Sequence, residues 1–362
     1  MLAALACAAL LLTQEAKVPT LPIGAPAPDF DLPGADGRRY TLKDFADKKL
    51  LLVVFDTVHC PTSQNYETRL RRLYDDYHGK GVGFIAVSPN SPKGVRLDEL
   101  GYTDLDDTFE SLKLRVEDRK IPYPYCYDGE PNLVSKAYGP KATPHAFLFD
   151  AARTLRYQGG IDDSEWAALV KTSHLRNALD ALLDGRPVPV AETRVFGCST
   201  KWPEKAPQVD AYNARIAAEP VTVEEPTPEA LAALRNPAGK VRLVHVWSTA
   251  SAESLQPCVT MYHWYRRRDF EFVPVAIEPA EREATVLAAL KGTPPAGKNR
   301  NYRTADLDAV KKALGWDGTL PLTLVVSPAG EVLYRAQGPV DALACRRAIV
   351  RALPEDRMPK RK

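Results

Sequence analysis

Apolar residues fall in short continuous runs separated by longer polar stretches, and the pattern passes along the chain twice. Leu50-Leu51-Leu52-Val53-Val54-Phe55 is the first such run, as expected of a strand buried on both faces. Ahead of it, Ile23 to Leu32, the turn Gly34-Ala35-Asp36-Gly37 and Tyr40 to Phe45 predict a short N-terminal hairpin. Behind it, Tyr66, Leu70 and Leu73 recur at helical spacing and predict a long helix from Pro61 to Tyr77. Gly83–Ser88 then reads as a strand, Thr108–Arg119 and Asn132–Tyr138 as helices, and Ala146–Asp150 as a strand turning into Leu155–Tyr157. Trp166–Leu183 reads as a closing helix.

The second pass begins with the buried run Val241–Val246. A helix over Glu253–Arg267 carries Leu255, Val259 and Tyr262, and Phe272–Ile277 follows as a strand. Leu307–Leu314 predicts a helix, Leu322–Ser327 a strand, Glu331–Ala336 its hairpin partner and Val340–Leu353 a last helix. Between the copies, Thr200–Pro228 holds Pro203, Pro207, Pro220, Pro226 and Pro228 among polar residues and reads as a linker. Strand–helix alternation closed by a hairpin and a helix predicts an α/β chain of two domains, each a central mixed sheet flanked by helices. The expected boundaries are 20–199 and 229–353, with the linker at 200–228 and a basic tail at 354–362.

Composition narrows the function classes. A length of 362 residues suits two domains, and 45% apolar with 26% charged residues suits globular folding. The net charge is +2, and no basic stripe interleaved with aromatics is present, so nucleic acid is not an expected partner. Met1–Leu12 is apolar but too short to span a bilayer. It fits the core of a signal segment over 1–16, and predicts export to the periplasm or the exterior. No integral membrane span is expected. Cys7 lies in the wrong order of small residues for a lipid attachment site.

Without Cys7 the cysteines are Cys60, Cys126, Cys198, Cys258 and Cys345, an odd number that leaves at least one thiol unpaired within a monomer. None has C-x-x-C or zinc-ligand spacing, so neither a metal nor another cofactor is expected. Cys60 stands out. It falls between the strand Leu50–Phe55 and the helix beginning at Pro61, where unpaired backbone N–H groups and the helix dipole favour the thiolate. His59 beside it can add positive charge, although an exposed histidine is an equal expectation there. Cys258 and Cys345 have apolar neighbours at helical positions, as buried core thiols do. His145 reads as strand-lining, and Asp104-Leu105-Asp106-Asp107 as a helix N-cap region.

Ala27-Pro28-Asp29-Phe30, Phe55 with His59-Cys60-Pro61, Ala137-Tyr138-Gly139, Thr143-Pro144 with Phe147-Leu148-Phe149-Asp150, and the tail Ala191–Ser199 together resemble the thioredoxin superfamily. Over roughly Gly24–Trp202 the resemblance is to its peroxiredoxin-like redoxin branch, of the alkyl hydroperoxide reductase/thiol-specific antioxidant type. The second copy resembles the superfamily through strand–helix order, Trp247 and Leu320-Pro321. The resemblance implies two thioredoxin-like domains, a cis-proline at Pro144 lying against Cys60, and an equivalent place at Pro321. It implies a thiol-dependent oxidoreductase acting through one nucleophilic cysteine, with a disulfide or peroxide as substrate and a thiol protein or small-molecule reductant as partner. A binding or redox-sensing protein without catalysis is the alternative.

Two registers meet at Cys60. Counted as C-x-x-C, Ser63 replaces the second cysteine and cannot resolve a mixed disulfide. Counted as T-x-x-C-P-T, Thr57-Val58-His59-Cys60-Pro61-Thr62 fits the peroxiredoxin motif, in which Thr57 would hydrogen-bond the thiolate and peroxide. Val53 and Asp56 stand where that motif has proline and phenylalanine, and Pro144 falls near the place of its peroxide-polarising arginine. Regeneration needs a second thiol. Cys198, in the tail, is the expected resolving residue, brought to Cys60 by movement of that tail; Cys126 and Cys198 as inert thiols, or as a structural disulfide, is the alternative. In the second copy the C-x-x-C positions are Ser251 and Ser254, with no His or Asp partner visible at a useful spacing. That copy is expected to be redox-dead, serving as a scaffold, a partner-binding surface or a dimerisation surface.

Overall fold

The computed structural model describes residues 18–236, 239–297 and 299–354; the expected signal segment and most of the basic tail lie outside them. The first half opens with the predicted hairpin, β1 (Asp31–Pro33) against β2 (Arg39–Thr41). Then come β3 (Leu50–Phe55), α1 (Pro61–Tyr77), β4 (Val82–Ser88), α2 (Phe109–Arg119), β5 (Tyr125–Tyr127) and α3 (Leu133–Tyr138). The half continues with β6 (Ala142–Thr143), β7 (His145–Phe149), β8 (Leu155–Gly159), α4 (His174–Leu183) and β9 (Cys198–Ser199). Its main sheet has the order β5-β4-β3-β7-β8, parallel across β5, β4 and β3 and antiparallel across β7 and β8. Every residue of β3, β4 and β7 is buried, because both faces of the sheet are covered.

The second half repeats this plan. After α5 (Ala206–Ala217) and α6 (Pro228–Ala232) come β10 (Val241–Trp247), α7 (Leu255–Tyr265), β11 (Phe270–Ile277) and α8 (Glu283–Leu290). β12 (Tyr302–Thr304), α9 (Leu307–Leu314), β13 (Leu322–Val326), β14 (Val332–Gln337) and α10 (Ala342–Ala352) complete it. The order β12-β11-β10-β13-β14 matches the first sheet strand for strand. The peptide bonds Thr143-Pro144 and Leu320-Pro321 are both cis, as the resemblance implied.

Three expectations are corrected. The closing helix begins at His174 rather than Trp166, because the Asp163 side chain accepts from the Lys171 N–H and its own N–H donates to the Thr172 carbonyl. In the second half the helix expected from Glu253 starts at Leu255; a tighter turn over Thr249–Ser254 precedes it, broken by non-helical Ser251. The proline-rich linker contains the twelve-residue helix α5, in which Pro207 occupies the first turn, where no donor is lost. Tyr212 and Ile216, one turn apart, bury its inner face. The short elements β5, α8 and β12 were not expected from the sequence, although Val286 and Leu290, one turn apart, mark the buried face of α8.

The halves interlock through the strap between β4 and α2. Leu100 is buried in the second half's core among Trp264, Tyr265 and their neighbours, with Val95 and Leu97 packed against it. The Tyr265 hydroxyl donates to the Thr103 carbonyl at 2.8 Å, Arg346 Nε donates to the Asp104 carbonyl at 2.7 Å, and Arg347 pairs with the Asp104 carboxylate at 3.1 Å. Arg267 pairs with Asp98 at 2.6 Å. Leu100→Ala is therefore expected to cost about 2–5 kcal/mol in urea unfolding, and exposed Leu169→Ala less than about 0.5 kcal/mol. Equal costs would contradict the strap's place in the second core.

Candidate active site

β3 ends at Phe55, and the loop Asp56–His59 delivers Cys60 as the N-cap of α1, with Pro61 at the first helical position. Cys60 is wholly buried (0% exposed). As a thiol, its Sγ donates to the Thr143 carbonyl, 3.3 Å away, just before the cis-proline. The backbone N–H of Cys198 donates to the same sulfur at 3.5 Å.

Two sulfurs and one ion pair decide the charge. Burial is the largest single influence and would raise the Cys60 pKa, but the Cys198 thiol as donor, the positive charge of His59 and the amides of Ser63 and Cys198 together outweigh it. The result lies well below an ordinary thiol, at about 5. Cys198 moves the opposite way: its proton is held in the hydrogen bond to Cys60, and burial adds to the rise. One member of the pair is a thiolate and the other its proton donor.

His59 is not exposed; it is buried, and its Nδ1 lies 2.5 Å from Asp107 Oδ2. Burial opposes the imidazolium, yet the Asp107 carboxylate outweighs it and raises the His59 pKa. Burial likewise opposes the Asp107 carboxylate, and His59 lowers its pKa below the usual value. Asp107 also accepts from the backbone N–H groups of Val58 and His59 at 3.1 and 3.0 Å, and from Asn90 Nδ2 at 2.7 Å. Asn90 Oδ1 in turn accepts from the Lys201 N–H at 2.8 Å. The acidic cluster thus divides. Asp106 accepts from the Thr108 and Ser111 hydroxyls at the start of α2, as a capping region should, whereas Asp107 turns inward to the site.

The expected site residues gather here with changed partners. Thr57 is buried, and its hydroxyl pairs with that of Thr143 at 3.4 Å rather than with the sulfur. Pro144 follows Thr143 through the cis bond. Cys198 does not reach the site by movement of a tail; it is already there, in β9, paired antiparallel with β6. Among the described residues no disulfide joins Cys126 to Cys198: Cys126 lies buried in β5, where burial pushes its thiol up to about 12. Cys258 and Cys345 are buried core thiols, as expected, and burial raises both. His145 lines its strand, neutral, between the Lys141 N–H and Gln158.

Sequence reasoning missed Asp107, Asn90 and the environment of Asp56. The Asp56 side chain is buried behind the loop, and burial pushes its pKa up to about 7; an acid where an aromatic residue was expected was the available signal. In the second half a partner for the serines does exist. His245 Nε2 lies 3.0 Å from Ser254 Oγ and its Nδ1 lies 3.0 Å from Thr323 Oγ1. Ser254 donates to the Ser251 carbonyl at 2.6 Å, so its proton is committed there rather than to the histidine. Among the described residues no cluster of His, Cys, Asp or Glu is placed to hold a metal ion.

Two sheets of this order, each with a cis-proline before its central antiparallel strand, and one with a buried thiolate capping a helix, define a protein of the thioredoxin superfamily. Residues 23–158 match the sequence model of the AhpC/TSA family, and this part of the chain is a peroxiredoxin-like redoxin. A thiol-disulfide oxidoreductase ResA of Bacillus thuringiensis subsp. konkukian is 28% identical over 138 residues, which cover 38% of this chain and 68% of the relative. The crystal structure of an uncharacterized conserved protein from Geobacillus kaustophilus is 36% identical, covering 50% of this chain and 92% of that one, with a TM-score of 0.45. A hypothetical protein from Sinorhizobium meliloti 1021 is 33% identical over 51% of this chain and 96% of its own, also at a TM-score of 0.45.

The ion pair makes a pH prediction. Removing the Asp107 charge leaves His59 neutral when buried, which takes positive charge from beside the sulfur and raises the Cys60 pKa. Asp107→Asn is expected to move the midpoint of thiolate absorbance, read as the difference from Cys60→Ser, upward by about one to two pH units. An unchanged midpoint would exclude His59 as the source of the shift.

Proposed function

We propose that the chain is a thiol–disulfide oxidoreductase in which Cys60 is the nucleophile and Cys198 the resolving thiol. The observation that carries this reading is the placement of the second cysteine: β9 pairs with β6 so that the Cys198 N–H donates to the Cys60 sulfur at 3.5 Å, beside a thiol whose pKa is depressed. Relatives with thiol-disulfide oxidoreductase names support the same chemistry. The Cys60 thiolate attacks a sulfur or oxygen of the oxidant, forming a covalent adduct and expelling the leaving group. Cys198 then attacks the Cys60 sulfur, the adduct bond breaks, and a Cys60–Cys198 disulfide remains. An external dithiol returns both to the reduced state by the reverse exchange. Thr57, Thr143 and Pro144 form the wall that fixes the sulfur's direction of approach.

In this reading residues 20–199 are the redox domain and 229–353 a scaffold without redox chemistry, with 200–228 between them. The scaffold acts through the strap: Tyr265 and Arg346 grip Thr103 and Asp104, only a few residues before Asp107. Export rests on the apolar segment Met1–Leu12; among the described residues no helix is long and apolar enough to cross a membrane. The test is Cys198→Ser. With a small oxidant and excess dithiol, multiple turnover is expected to fall at least ~10-fold, with Cys60 accumulating as a trapped adduct in mass spectrometry. Recycling at the wild-type rate would remove Cys198 from its role.

A further inference from the structure

Two helix faces, one from each half, meet across an open cleft of about 360 Å³. α2 contributes Arg115, Asp118 and Arg119, α10 contributes Arg347, Val350 and Arg351, and the strap contributes Asp104. The spacing i, i+3, i+4 is the same on both helices, so each trio forms one patch. Arg119 and Arg351 sit in the last turn of their helices, where a cation complements the dipole. The dipole does not account for both lining the same opening.

The carboxylates around the cleft are already committed. Asp104 and Asp118 both pair with Arg347, the first at 3.1 Å. Arg115, only 8% exposed, takes Glu67 at 2.7 Å. The same Glu67 faces Arg71 at 3.5 Å and Arg119 at 4.0 Å, so one carboxylate is shared among three guanidiniums. Arg351 Nε donates to the Arg347 carbonyl at 3.1 Å, and among the described residues no carboxylate pairs with it. Five guanidiniums therefore stand against three carboxylates. The two least compensated, those of Arg119 and Arg351, belong to opposite walls. Like charges gathered in a concave site raise the local potential for an anion.

We propose that this cleft binds a phosphate group, carried by a small phosphomonoester or present as the free ion, and that the anion bridges α2 of the first half to α10 of the second. A guanidinium presents a planar fork of N–H donors that matches two phosphate oxygens. A tetrahedral dianion takes one fork on each side at once, whereas a single carboxylate offers two oxygens and fills one. Its two negative charges match the two guanidiniums that lack a close carboxylate. Val350 gives the cleft an apolar wall, and its volume leaves room for an organic remainder beside the phosphate. Arg115 supplies a buried cation that also lines the small cavity beside Asp56, Thr57 and Val58. Cys60 and Cys198 take no part in the binding.

The test titrates the full chain with inorganic phosphate and with glycerol 3-phosphate at fixed ionic strength, reading binding by calorimetry, with sodium chloride as the reference. Saturable binding of phosphate is expected. Arg119→Gln and Arg351→Gln are each expected to weaken it at least ~5-fold, and Asp118→Asn, which frees part of Arg347, to tighten it ~3-fold. Arg39→Gln, the same charge change on the exposed β2 hairpin, is expected to leave it within ~2-fold. Tighter binding of the ester assigns the cleft to a phosphomonoester, and equal or weaker binding assigns it to free phosphate. The proposal is overturned if neither anion binds saturably, or if sodium chloride reproduces the binding. Full affinity in both cleft arginine variants overturns it as well, and so does an equal loss from Arg39→Gln.

Discussion

A negative sulfur with no contact with water has to be compensated from inside the protein, and the rest of the first half is arranged around that requirement. Water cannot solvate Cys60, so its charge is met by the Cys198 thiol and by the imidazolium of His59. The imidazolium is itself buried, and it needs Asp107, whose remaining oxygen capacity is filled by two backbone amides and Asn90. Breaking such a buried pair by removing one partner costs about 3–5 kcal/mol, which is why these groups form one connected network. The network has an anchor outside the first half: the strap that ends in Asp107 is buried in the second core at Leu100 and gripped by Tyr265 and Arg346.

The second half shows what the same fold does when that charge is absent. The serines at the matching positions carry none, and one of them, Ser254, is hydrogen-bonded to His245, which burial holds neutral with a pKa lowered to about 3. Its two ring nitrogens meet the Thr323 and Ser254 hydroxyls rather than a carboxylate. A neutral hydrogen-bonded trio is self-sufficient in low dielectric, whereas a thiolate is not. The difference between an electrostatically demanding site and a quiet one therefore lies in a few side chains on one shared backbone.

Much of the architecture was legible in the sequence, because continuous apolar runs such as Leu50–Phe55 and the Tyr66-Leu70-Leu73 stripe leave few alternatives. Pro144 and Pro321 were legible as cis positions by resemblance. Short elements such as β5 and β12 were not, since three residues carry no period. Helix starts were misjudged where a side chain caught the backbone first, as Asp163 does ahead of α4. At the site, Cys60 announced itself by its junction and Cys198 by its tail. Asp107 did not. Its neighbours in sequence are ordinary capping residues, and only the fold of the strap turns it toward His59, 48 positions away. His245 was hidden in the same way, as a polar residue inside an apolar strand.

The pairing of Cys60 with Cys198 is the claim on which the electrostatics, the chemistry and the role of β9 all converge. It is tested most directly by oxidising the reduced protein with one equivalent of a small oxidant, digesting it without reduction, and mapping every cysteine by mass spectrometry. The account predicts one cross-linked peptide pair, Cys60 with Cys198, while Cys126, Cys258 and Cys345 stay free. Oxidation spread over the five cysteines, or a Cys60 linked to any partner other than Cys198, would contradict it.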